Sequence, residues 1–186
     1  MPIGHVLTTQ RLRLEPCHPG HLAALQVLNG DPAVMQYITG RPETPEETAG
    51  MIERVQARWV QWGYSWWSFI ERDSGQLIGA GCIQNLRRSG TEPDAACPVE
   101  IGWRLRPDRW HRGLASEAAR AMAAFAFDTV EVDTLYAVCD PDNKASLAVM
   151  LRLGMRERGV EQWYERPVTT CEITAAEWRA RQRSRD

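Results

Sequence analysis

Between Val99 and Gly154 the chain twice runs from a short apolar strand, through a turn, into a helix, and this repeat of order narrows the folds open to it. In the first pass Val99 to Arg104 reads as a strand, Gly113 sits in the turn, and Ser116 to about Phe127 is an alanine-rich helix. In the second, Leu135 to Cys139 reads as a buried strand, and Asp142 to Leu153 as a helix stopped by Gly154. Upstream, Arg11-Leu12-Arg13-Leu14 alternates with the period of a strand. Leu22, Leu25 and Leu28 share a helical face that ends at Asn29-Gly30, and Asp31-Pro32 can start another turn. Thr44-Pro45-Glu46-Glu47 has a Thr cap, Pro at the first helical position and Glu three after the cap. Ile52, Val55, Trp59 and Trp62 then recur at helical spacing up to Gly63. Trp66 to Glu71 and Leu77 to Gln84 flank Asp73-Ser74-Gly75 as a hairpin. Strands near Met155 to Trp163 and Thr169 to Ile173 close the pattern. Hairpins mixed with helical crossovers predict a mixed α/β sheet in one domain over residues 1–178. The polar stretch Arg87 to Pro98 reads as a mobile loop, and residues 179–186 as an Arg-rich solvated tail.

A length of 186 residues suits one well-buried core. A net charge of −2 carries no basic bias for nucleic acid and no acidic bias for a cationic partner, so a small or local partner is expected. No run approaches the ~18 apolar residues of a membrane span, and the N-terminus lacks the basic and apolar regions of a signal peptide. Five cysteines (Cys17, Cys82, Cys97, Cys139, Cys171) are scattered, odd in number and without a CxxC pair. That argues against disulfides and zinc and for a reducing cytoplasm. His18 and His21 form the only close histidine pair, with no acidic or Cys ligand grouped with them in sequence, so no metal is expected. Trp59, Trp62, Trp66 and Trp67 are either an aromatic core cluster or, in part, the wall of an acceptor pocket.

The turn at Arg109-Trp110-His111-Arg112-Gly113-Leu114-Ala115-Ser116 admits two readings. Free N–H groups at a helix start bind anions, Gly113 permits close backbone approach, Ala115 is small, Ser116 adds a hydroxyl, and Arg109 and Arg112 add charge. The same features also occur in a plain strand-to-helix connection. Neither GxGxxG nor GxxxxGK[ST] is present, which lowers the case for a dinucleotide or nucleoside triphosphate.

Taken with Asp140-Pro141-Asp142-Asn143-Lys144-Ala145-Ser146 and Leu153-Gly154-Met155, the turn resembles the GNAT acetyltransferase superfamily, in its RimJ/RimL-type branch. The resemblance extends to Leu7-Thr8-Thr9-Gln10-Arg11-Leu12-Arg13-Leu14, Leu77-Ile78-Gly79, Ile173-Thr174 and Glu177-Trp178. Trp110 stands where the wider superfamily has Gln or Arg, an aromatic being usual in this branch. The resemblance implies a mostly antiparallel α/β sheet flanked by helices, with its central strand pair splayed to admit coenzyme A. It implies cofactor contacts at Trp103, Leu105, Arg112, Gly113, Leu114, Ala115, Ser116 and Asn143. It further implies acetyl-CoA as cosubstrate, an amine acceptor that is a protein N-terminus or a small molecule, and a homodimer.

Acetyl transfer needs a neutral amine, and an α-amine (pKa ~7.7–8.0) needs less help than a lysine (~10.4). Glu100, alone in the apolar run Val-Glu-Ile-Gly-Trp, is the candidate base; its bland alternative is a carboxylate bonded to backbone or to an arginine. Lys144 to Gly154 contains no Tyr, the residue that protonates the leaving thiolate in many such enzymes. By position Ser146 substitutes, unless it merely bonds within its helical turn; Asn143 is either a cap or a pantetheine contact. A non-catalytic acyl-CoA-binding domain and a Trp-faced binding module are the competing readings.

Overall fold

The computed structural model describes residues 4–184. The chain forms one sheet of eight strands: β1 (Leu7–Thr8), β2 (Leu12–Pro16), β3 (Trp66–Glu71), β4 (Leu77–Asn85), β5 (Val99–Leu105), β6 (Thr134–Cys139), β7 (Arg156–Trp163) and β8 (Arg166–Thr174). Their order across the sheet is β1-β2-β3-β4-β5-β6-β8-β7, and every neighbouring pair is antiparallel except β5 and β6. Six helices flank it: α1 (Leu22–Asn29), α2 (Pro32–Met35), α3 (Pro45–Trp62), α4 (Leu114–Asp128), α5 (Lys144–Leu153) and α6 (Ala175–Arg183). The mixed, mostly antiparallel α/β architecture expected from the sequence is the one observed.

The local signals act as their chemistry requires. Thr44 and Glu47 bond reciprocally across the start of α3, and Gly63 ends it in the left-handed region at φ 73°. Asp31 caps α2 by accepting from the Ala33 amide at 2.8 Å. A large core lies between the sheet and α4, with Leu12, Phe69, Ile101, Met122 and Phe127 fully buried. A second cluster joins α1, α2 and α3 to the opposite face through Leu25, Met35, Ile52 and Val55. The tryptophans differ in their surroundings. Trp59 and Trp67 are core, edge-to-face at 4.9 Å, whereas Trp66 is only partly buried and bonds polar groups near the sheet centre.

Two expectations need correction. Arg87 to Pro98 is not a free loop. Arg87 pairs with Asp94, residues 94–96 form a helical turn, and the carbonyls of Arg87 and Arg88 accept the amides of Tyr164 (2.8 Å) and Glu165 (2.9 Å). The Arg-rich end at 179–186 is solvent-exposed over 179–181 and 183–184 as expected, but it is helical as far as Arg183. A Thr174–Glu177 capping box starts α6 and buried Trp178 stacks on Phe127 at 5.5 Å, so the boundary at 178 falls inside a packed helix. Arg185 and Asp186 lie outside the described residues.

Candidate active site

Parallel pairing of β5 with β6 is brief: Val99 faces Leu135, Glu100 faces Tyr136, and beyond them the strands part. β4 stays paired with β5 up to Leu105, so the β6-facing backbone of residues 101–105 is left to other partners. At the far end of this opening the Trp110 indole donates to the Leu105 carbonyl at 2.8 Å and so helps to wall it. The chain then turns with His111 at φ 60° and Gly113 at φ 75°, and α4 begins. Gly113 is the cap residue and offers no side chain, so the first amides of α4 have no side-chain cap.

The turn is held from outside. The Glu117 carboxylate accepts from the Thr9 hydroxyl (2.6 Å), the Arg11 amide (2.7 Å) and Arg11 Nε (2.7 Å), while Arg11 Nη1 donates to the Arg112 carbonyl at 2.8 Å. The opening motif Leu7–Leu14 thus fixes the helix start opposite it. Arg152, near the end of α5, donates from Nε to Ser116 Oγ at 3.1 Å. Arg112 is exposed and forms no ion pair among the described residues. Arg109, read as a second free charge, is instead occupied by Glu71 and Asp108, which corrects that expectation.

At the start of α5, Asn143 accepts the Ser146 amide at 3.1 Å, so its capping role is realised. Within the turn it is the Ser146 amide that bonds, and the hydroxyl makes no hydrogen bond with the described residues. A cleft of about 710 Å³ gathers every predicted site residue except Glu100: Trp103, Leu105, Arg112, Gly113, Leu114, Ala115, Ser116, Asn143 and Ser146. Arg104 and Arg152 also line it, together with Val34 and Tyr37 from α2 and the turn after it. Its size, its apolar wall and the cationic side chains of Arg104, Arg112, Lys144 and Arg152 suit an organic ligand that carries negative charge.

Glu100 lies where the strands part, 4% exposed, with its side chain on the face toward α1 and α3. Gln84 Nε2 donates to its Oε1 at 2.7 Å, and the Tyr164 hydroxyl donates to the same oxygen. Gln84 is oriented by the Trp66 indole, which donates to Gln84 Oε1 at 2.9 Å. Burial raises the Glu100 pKa to about 7, against the opposing effect of the bonds from Tyr164 and Gln84 and the charge of Arg58. Burial and the Glu100 charge push the Tyr164 hydroxyl upward, so it stays a donor. Tyr164 (φ 52°) and Glu165 (φ 58°) form the left-handed turn between β7 and β8 that delivers this hydroxyl. Tyr164, Gln84 and Arg152 were missed in the sequence because only the fold brings residues 64, 16 and 36 positions apart into contact.

The histidine pair also needs revision. Glu15 Oε2 stands 3.5 Å from His21 Nε2 and 4.0 Å from His18 Nε2, so an acid is grouped with them in space. Glu15 is already paired with Arg13, and His18 Nδ1 accepts from the Gly20 amide at 3.1 Å. Burial, with His18 and Arg13 nearby, lowers the His21 pKa to about 4.

A family model described as an acetyltransferase (GNAT) domain matches residues 11–156, which include the parting strands, the α4 start and α5. The chain is a member of the GNAT acetyltransferase family. It is an acetyl-CoA-dependent N-acetyltransferase by that membership and by its relatives. An uncharacterized N-acetyltransferase from Bacillus subtilis, YoaA, is 26% identical over 160 residues, 86% of this chain and 87% of that one. The crystal structure of the acetyltransferase from Agrobacterium tumefaciens superposes with a TM-score of 0.77 at 25% identity, covering 91% of this chain and 94% of the other. RimL, a ribosomal L7/L12 α-N-protein acetyltransferase solved with coenzyme A, shares the fold at a TM-score of 0.72 and 18% identity, over 91% of this chain and 98% of its own. No helix among the described residues is long and apolar enough to cross a membrane.

Proposed function

We propose that this GNAT enzyme acetylates an α-amine, with Glu100 as the general base. The observation that carries the reading is a buried carboxylate with pKa about 7 at the point where β5 leaves β6. A base so poised is matched to an α-amine of pKa ~7.7–8.0 and is far weaker than a lysine amine of ~10.4 would demand. The RimJ/RimL-type branch, whose acceptors include protein N-termini, fits the same class.

Acetyl-CoA, when bound, supplies an activated thioester, and the residues present fit it. Uncapped amides of Leu114, Ala115 and Ser116, with Gly113 and the free charge of Arg112, would receive the pyrophosphate. The β6-facing edge of β5 at Trp103 and Leu105, where only the Leu105 carbonyl is taken by Trp110, would receive the pantetheine, with Asn143 on the facing wall. Glu100 takes the amine proton, directly or through water, while Gln84 and Tyr164 hold its carboxylate in place. A backbone N–H on the β6-facing edge of β5 would stabilise the charge that develops on the carbonyl oxygen. Ser146, its hydroxyl uncommitted, orients the thiol or returns a proton to it. A thiol of pKa ~8.5 leaves without a strong acid.

One acetylation screen tests the reading, using N-terminal peptides, lysine peptides, polyamines and free amino-acid amines with acetyl-CoA. Turnover should concentrate on α-amines. Preference for lysine peptides at neutral pH would overturn the α-amine assignment.

A further inference from the structure

Arg104 follows Glu100 by four positions and shares its face of β5, with Gly102 between them. It is 7% exposed, yet its guanidinium has no hydrogen bond or ion pair with any described residue, and its Nε is buried without a partner. Its Cζ lies 4.7 Å from the centre of the Trp66 ring, the same ring whose N–H orients Gln84 beside Glu100. Cys17 and Cys82 are its other polar neighbours, both thiols with pKa values raised by burial. Glu43 is the acid whose charge acts on it, and its carboxylate accepts from Asn29 Nδ2 at 2.9 Å. Arg104 nevertheless lines the cleft, alongside Val34 and Tyr37.

Such a group is expensive. A buried ion without a partner is strongly disfavoured, an arginine cannot escape by losing its proton, and a desolvated ring offsets only part of the cost. A planar fork of donors is matched to a carboxylate, which it binds through two parallel bonds. The pyrophosphate is matched instead to the uncapped start of α4, whose Leu114 packs with Leu105 and Trp103 on the other face of β5.

We infer that Arg104 anchors an anionic group of the acceptor, which makes the substrate a small α-amine carrying a carboxylate. The inference rests on Glu100 being the base. With Cα atoms about 13 Å apart at ~3.3 Å per strand residue, the two side chains can share one molecule when its carboxylate stands several bonds from its nitrogen. The side chain of an acidic amino acid and the C-terminus of a dipeptide have that spacing. Gly102 puts no side chain between the two groups, where the Cys82 thiol lies alongside.

The test compares matched acceptors that differ only in charge: glutamate with glutamine, and glycylglycine with its amide. The acid of each pair should be preferred in kcat/KM by roughly 10- to 100-fold, the worth of a charge-assisted bond, and chiefly through KM. Arg104→Met keeps the stem and removes the fork, so the ratio should fall to near one while the melting temperature holds or rises, since the unpaired charge is gone. Glutarate, which has no amine, should raise the melting temperature of the parent and not of Arg104→Met. A ratio near one in the parent overturns the inference, as does an Arg104→Met variant that melts lower and keeps the ratio. Stabilisation by glutarate without acetylation of any amine would keep the anion site and overturn Glu100 as the base instead.

Discussion

The odd-numbered side chains of β5 and the even-numbered ones are hidden to the same degree and made of opposite materials. Ile101 and Leu105 are 1% and 6% exposed and pack against α4, while Glu100 and Arg104 are 4% and 7% exposed on the other face. The first pair needs only shape and volume, and burial stabilises it by about 25 cal/mol per Å². The second pair is held at a cost in desolvation that packing does not return. One strand therefore carries a structural face and a chemical face, and the parting from β6 opens the second to ligands.

Glu100→Gln should break this contrast most severely. It keeps the shape and the bond from Gln84 or Tyr164, and acetyl-CoA binding should persist. Turnover should fall by roughly 10²–10⁴-fold at neutral pH, and the inflection near pH 7 in kcat/KM should vanish. Raising the pH should recover much of the loss, because the amine then arrives neutral. Parallel pH–rate profiles for the two forms would show that Glu100 is not the base.

Next in size is Gly113→Val. A β-branched residue at φ 75° carries about 1–2 kcal/mol of strain and crowds the uncapped amides. Affinity for coenzyme A, measured by calorimetry on the folded variant, should drop roughly tenfold or more. Unchanged affinity would move the phosphate site away from this turn.

Ser146→Ala probes the cofactor side more gently, and turnover should fall by less than the roughly 100-fold expected from loss of a true general acid. Complete loss of turnover with binding intact would mean that thiol protonation is demanding after all.

The smallest effect concerns stability. Burial holds the Glu100 pKa at about 7 in the folded chain, against 4.5 when unfolded. Between those values the folded state binds more protons, so the parent loses stability as pH rises through that window, and Glu100→Gln does not. The melting-temperature gap in favour of glutamine should widen from pH 4.5 to 7 and then stay level. A gap that narrows with rising pH would place a cation beside this carboxylate.

The structural face was the legible one. Caps such as Thr44–Glu47 and stops such as Gly63 and Gly154 act over a few residues, so helix limits could be read within a position or two. The α4 turn and the candidate Glu100 were also readable, because a glycine start and a lone carboxylate in an apolar strand are local patterns, whereas the parting of the strands was implied only by the family resemblance. What escaped was long-range. The Glu117 grip by Thr9 and Arg11, the Tyr164 hydroxyl on Glu100 and the capture of Arg109 by Glu71 all join distant segments. The order of residues 87–98 was missed for the same reason: its polar composition hides bonds to the β7–β8 turn. The Arg-rich end misled in a different way, since a capping box and one buried tryptophan outweigh its charge.

The five thiols bear on how the reaction can be followed. Cys17, Cys82, Cys139 and Cys171 are buried, and burial pushes Cys17, Cys139 and Cys171 up to about 11 and Cys82 well above the usual thiol range. Thiolate is the reactive form, so these four are silent toward disulfide dyes at neutral pH. Cys97 alone is half-exposed, and its pKa too is raised by burial and by Glu92. A dye that counts sulfhydryls would therefore report the coenzyme released in each turnover above a nearly dark protein background.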